Sequence, residues 1–169
     1  MARLQGDLKI GDRLYRRGEA VPWKFIYPFF LIHMLMFGAS GFFMAYSDAR
    51  APVGFLFMHG GIAIFVYMTF YFAIFGRDEV KWMLINAALG VWGISGEMDW
   101  LLSFFGKKLS SYPLHVHIIP FLYYVLYTFL LRQAVLHWTG AREDEARAKA
   151  VNRGYVAVSL LVYTGFHLL

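Results

Sequence analysis

Five ionisable side chains, His59, Glu97, Asp99, His117 and His167, lie inside hydrophobic segments of this chain. Their types suit two kinds of chemistry. Neutral imidazole ligates zinc, copper and iron, and carboxylates complete or orient such sites. The same groups exchange protons, because burial brings carboxyl and imidazole pKa values toward neutrality, where general acid–base transfer works best. An ionisable group in hydrocarbon is costly, so it is expected to face a bundle interior and mark a functional site. A further histidine, His33, stands near the middle of its own segment.

The elements that must position these residues follow from composition. The chain has 169 residues, 59% hydrophobic and 20% aromatic, with 16% charged, against about 25% charged in ordinary soluble domains. The charges collect in short stretches and leave apolar runs near the roughly 20 residues that cross a bilayer. This predicts an all-α, polytopic membrane bundle of five transmembrane helices, spanning about 23–46, 54–75, 81–105, 114–137 and 154–169, after an extramembrane segment 1–22. The absence of cysteine excludes disulfides, thiolate ligands and iron–sulfur clusters. The formal charge of +5 reads as loop topology rather than nucleic-acid binding.

Lys and Arg are heavier in the amino-terminal segment, at Arg77 and Lys81, and over 132–153 than in the alternate loops. The positive-inside rule then puts the amino terminus in the cytoplasm, as in a bacterial-type inner membrane. The first 22 residues carry no signal-peptide core, so the first apolar helix is expected to stay in place. Over 141–153, Glu143 with Arg147 and Glu145 with Lys149 stand at i,i+4, which predicts a solvated helix ahead of a short fifth span.

At 1.5 Å rise per residue, Glu97 and Asp99 fall roughly 12 and 9 Å from the outer surface, and His59 and His117 roughly 8 and 6 Å. His167 enters from the opposite side to about the same layer, and His33 sits near the midplane. Asn86, Gly90, Gly93 and Glu97, spaced four, three and four, form one stripe that admits a close neighbour. Asp99 lies on another face, so the third helix is expected to be central. His117, Phe121, Tyr124 and Thr128 form a second stripe, and Pro120 frees the Val116 carbonyl within the fourth span. The expected outcome is an outer cavity walled by His59, Glu97, Asp99 and His117.

Such a cavity could hold a metal ion on His59, His117 and Glu97, or a haem between His59 and His117. It could equally act on a lipid, isoprenoid or quinone, with Glu97 or Asp99 as general acid or base. Purely architectural hydrogen bonding in a subunit of a larger membrane complex ranks below these, and ion movement finds few polar groups beyond His33. No His-x-x-x-His or Glu-x-x-His signature is present. Histidines on the first, second, fourth and fifth spans (His33, His59, His117, His167) resemble the ligand distribution of the two-haem membrane anchors of succinate–quinone reductases. That arrangement needs a ligand pair near each membrane face, whereas these four lie in the middle and outer parts, and the family is not assigned.

Overall fold

The computed structural model describes residues 2–10, 12–49 and 51–168. Five long helices dominate: α1 (Trp23–Tyr46), α2 (Val53–Phe75), α4 (Trp82–Ser103), α5 (Ile118–Trp138) and α6 (Glu145–Leu168), with a four-residue α3 (Arg77–Val80) between α2 and α4. The bundle is all-helical apart from short strands at its amino-terminal end. Three stretches, Ile26–Tyr46, Val53–Phe75 and Leu114–Trp138, are long and apolar enough to cross a membrane. Large apolar side chains such as Ile32, Leu35, Phe65, Leu84, Val91 and Leu161 point outward on every side of the bundle, the pattern of a surface that meets something other than water.

Helix ends follow local chemistry. Pro52 keeps the residue before it out of helical conformation, separating α1 from α2. Gly76, at φ 85°, adopts a backbone that L side chains avoid, and ends α2. Asp144 accepts hydrogen bonds from the Ala146 and Arg147 amides at 3.0 and 3.1 Å, an N-cap that starts α6 nine residues earlier than the expected boundary at 154. The charged stretch and the last apolar run are therefore one continuous helix. Within it the Glu145–Lys149 pair forms at 2.7 Å, while Arg147 pairs with Asp144 rather than Glu143. Leu114–His117 is a 3-10 turn, so Pro120 falls in the first turn of α5, where a missing amide costs nothing.

The central helix is α5, not α4: it packs against each of the other four long helices, while α4 packs mainly on α5 and α6. The small-residue stripe of α4 serves one side of that helix, and its other side presents Leu84, Val91 and Trp92 to the exterior. Along α5, by contrast, Ile119, Tyr123, Leu126, Phe129, Leu130 and Ala134 are all buried. The molecule thus has two sectors sharing α5, one made with α1 and α2 and the other with α4 and α6.

Residues 2–21 form two small antiparallel pairs, β1 (Ala2–Arg3) with β4 (Ala20–Val21) and β2 (Leu8–Ile10) with β3 (Arg13–Tyr15). The Gln5 and Gly6 amides donate to the Ala73 carbonyl at 2.8 and 3.0 Å, which seats this segment on the end of α2.

Candidate functional site

Close approach comes from missing side chains. A Cβ on Gly93 would collide with the Tyr163 ring, and one on Gly90 would meet Phe121 and Tyr124 at 3.1 Å. The stripe Asn86–Gly90–Gly93 is therefore the seam on which α5 and α6 seat, as its spacing predicts. Asn86 is buried and accepts a hydrogen bond from the Tyr155 hydroxyl at 3.2 Å. In the other sector a Cβ on Gly60 of α2 would collide with Ile119, and one on Gly41 of α1 would meet the Tyr123 ring at 3.1 Å.

The five ionisable groups do not converge. His117 Nδ1 pairs with the Tyr46 hydroxyl at 2.8 Å. Asp99 is exposed and accepts the Leu109 amide at 2.6 Å, holding the loop after α4. It does not pair with Lys107, which instead binds Asp48 at 2.7 Å and donates to the Tyr46 carbonyl at 2.8 Å. His167 is exposed, and its Nε2 donates to the Trp92 carbonyl at 2.8 Å. Glu97 is half-buried beside Tyr163 and takes part in no hydrogen bond or ion pair among the described residues. Among the described residues no group of three or more His, Asp or Glu could hold a metal ion. His59, His117 and Glu97 thus do not assemble into one metal site. Equal depth did not make equal azimuth, since each group turns to a different neighbour.

Two of the six residues do share a space. A groove of about 450 Å³ runs between α1 and α2, lined by His33 and His59 with Phe29, Phe37, Phe55, Tyr67 and Phe70 among its aromatic walls. His33 Nδ1 donates to the Phe29 carbonyl at 2.7 Å, so in the neutral ring Nε2 carries the lone pair. The His59 ring lies 5.7 Å from that of Phe37 and 6.0 Å from that of Phe55. Its Nδ1 is buried and has no hydrogen-bond partner among the described residues. Ring contacts of Phe30 with Tyr67 and Phe70, and of Phe37 with His59, set the antiparallel register. His33 then faces the level of Tyr67, two helical steps of four from His59, or about 12 Å along the groove.

A second groove, of about 300 Å³, runs between α4 and the start of α5 and is lined by Tyr46, Ser95, Met98 and His117. It keeps part of the expected outer cavity, but without His59, Glu97 or Asp99 in its wall. The chain matches no family model, no curated protein and no solved structure. The chemistry of the site therefore rests on its residues.

A buried polar network, none of whose members is among the candidate residues above, centres on Arg132. Arg132, 1% exposed, binds Glu79 through Nη1 at 2.8 Å and Asn152 through Nε at 3.0 Å, and lies 3.8 Å over the Trp82 ring. Gln133 donates to the same Glu79 oxygen at 2.7 Å and accepts from Arg142, while its carbonyl takes the Tyr27 hydroxyl at 3.2 Å. Burial pushes the Glu79 carboxyl up, but the bonds from Gln133 and Arg132 and the arginine charges outweigh it and leave it below the ordinary value. This network ties α1, α3, α5 and α6 together. The sign of it in the sequence is Arg132-Gln133 inside an apolar helix, at the start of the basic stretch over 132–153.

Proposed function

We propose that this is a multi-pass membrane protein, amino terminus in the cytoplasm of a bacterial-type cell, whose α1–α2 groove binds a membrane-soluble amphiphile of the isoprenoid, quinone or lipid class. The observation that carries the reading is the buried, unpartnered Nδ1 of His59 at one end of an aromatic channel. A buried polar atom without a partner is costly, and a headgroup carbonyl or hydroxyl would complete it. The aromatic walls accept a chain, and entry is lateral, from the bilayer. His33 offers a second polar contact partway along, and Glu97 and Asp99 stand outside the groove, which makes binding the primary role rather than acid–base catalysis by those carboxylates.

Extraction of gently purified protein followed by mass spectrometry tests this. A stoichiometric isoprenoid or other amphiphile is expected. His59→Phe, which keeps the ring, should reduce its occupancy about tenfold at limiting ligand, the value of one hydrogen bond of about 1.4 kcal/mol. Ile62→Trp, which fills the groove, should abolish it. Equal retention in all three proteins would overturn the reading.

A second reading, a subunit of a larger membrane complex, draws on α4 and α6. Neither is among the three helices apolar enough to cross a membrane, yet both expose Leu84, Val91, Leu161 and Val162. A protein neighbour would suit that sector, and sizing of the solubilised complex would reveal it.

A further inference from the structure

The two imidazoles of the α1–α2 groove make different demands on an occupant. His33 lines the groove from α1 and His59 from α2. His33 lies ten residues inside α1, about 15 Å from its start, and so near the middle of a hydrocarbon layer about 30 Å thick. Its Nδ1 meets the Phe29 carbonyl of its own helix at 2.7 Å. A carbonyl only accepts, so Nδ1 carries the hydrogen, and Nε2, at the distal edge of the neutral ring, keeps a lone pair. Only a donor satisfies it. His59 imposes no such choice: its Nδ1 has no hydrogen-bond partner among the described residues. A neutral ring holds its hydrogen on either nitrogen, so a hydroxyl or a carbonyl serves there equally.

Ring contacts fix how far apart the two demands lie. Phe30 and Phe37, which share a face of α1 with His33, contact the Tyr67 ring at 6.0 and 6.1 Å. Tyr67 therefore stands on the wall opposite His33. It shares one face of α2 with His59, eight residues or about 12 Å away. Between these levels the α2 wall is apolar, made by Ile62, Ala63 and Val66. No Asp, Glu, Lys or Arg lines the groove among the described residues, so an ionic occupant finds no counter-charge. We infer that the groove, read as above as an amphiphile site, takes a ligand polar at two points about 12 Å apart, and that the point at His33 is a hydroxyl donating to Nε2. A hydroxylated chain with a second polar group meets both demands. A single-headed lipid or a quinone bound at His59 leaves the His33 lone pair facing hydrocarbon.

Binding of 1,10-decanediol, 1,10-dimethoxydecane and 1-decanol to delipidated protein in detergent tests this. An extended chain advances about 1.2 Å per bond, so ten carbons match the span. The pH is held near 8, above the ordinary imidazole value of about 6.5. For each probe the affinity of the parent is divided by that of a variant, so partition into detergent cancels. The diol should lose about tenfold in His33→Phe, the value of one hydrogen bond, and about tenfold again in His59→Phe. The diether, which has no hydrogen to donate, should lose nothing in His33→Phe. The monoalcohol has one hydroxyl to place and should lose tenfold in one variant at most. Equal losses of diol and diether in His33→Phe would overturn the proposal, as they would if Tyr67 supplied the hydrogen. A diol that responds to only one of the variants would overturn the two-point reading. Nitrogen-15 spectra of histidine-labelled protein check the premise: His33 should be protonated at Nδ1, and protonation at Nε2 would overturn the proposal. Rejection of all three probes by the parent would overturn it as well, while the amphiphile reading itself is decided separately by the extracted ligand.

Discussion

The Glu79–Arg132 network and the α1–α2 groove both place polar groups in an apolar bundle, and they treat them in opposite ways. At the network, Glu79 meets Arg132 and Gln133, Arg132 also meets Asn152 and the face of Trp82, and Gln133 also meets Arg142. At the groove, His59 Nδ1 meets no partner among the described residues although it is buried. A closed set of bonds fixes how helices dock and leaves nothing for a ligand. An open one costs stability in the empty protein and is recovered on binding. Burial of a charged residue thus goes with architecture here, and the incompletely bonded imidazole of His59 is what the proposed binding role rests on.

The contrast is most easily broken at Arg132. Arg132→Ala leaves Glu79 beside an apolar cavity, and loss of one partner of a buried pair costs about 3–5 kcal/mol. With the Glu79 side chain still 34% exposed, the lower end of that range is expected, visible as a large drop in melting temperature. A loss no greater than that of an exposed pair, under about 1 kcal/mol, would deny the network its structural role.

Acid should act on the same pair more gently. The Glu79 carboxyl sits below its ordinary value in the folded protein, so its stabilisation is complete above the unfolded pKa of about 4.3. That stabilisation fades as pH falls through the lower, folded value. Melting temperature should therefore decline below about pH 5, and the decline should shrink in Glu79→Gln, which lacks the titration. An identical acid profile in the variant would assign the effect to other carboxylates.

The smallest expected change sharpens the comparison from the other side. His59→Phe removes an Nδ1 that makes no hydrogen bond among the described residues, so the unfolding free energy of ligand-free protein should stay within about 0.5 kcal/mol of the parent or rise. A drop comparable to that of Arg132→Ala would mean that His59 is architectural after all.

Much of the architecture could be read from residue order. Apolar runs bounded by Pro52 and Gly76 predict α1 and α2 almost to the residue, and the four–three–four spacing of Asn86, Gly90, Gly93 and Glu97 predicts the seam of α4. The start of α6 was legible too, in Asp144 as an N-cap, but the charges after it suggested a separate solvated helix. The site was less legible. Depth along a helix follows from counting, whereas convergence also requires the rotation of each helix against its neighbours, which packing decides. His117 turned to Tyr46 and His59 to Phe37, so two groups at one level entered different grooves. The spacing of His59, Tyr67 and Tyr71 was a readable sign of a polar face on α2. Arg132-Gln133 inside an apolar helix is a local sign of a buried network, but nothing in residue order points to Glu79, 53 residues away, as the partner.

The seating of residues 5 and 6 on Ala73 has a consequence for the order in which the protein is made. The strands before α1 leave the ribosome ahead of α2, yet their anchoring acceptor lies near the end of that second long helix. Docking of this segment must wait until α2 has been synthesised, and when it occurs it closes α1 and α2 into a hairpin held at both ends.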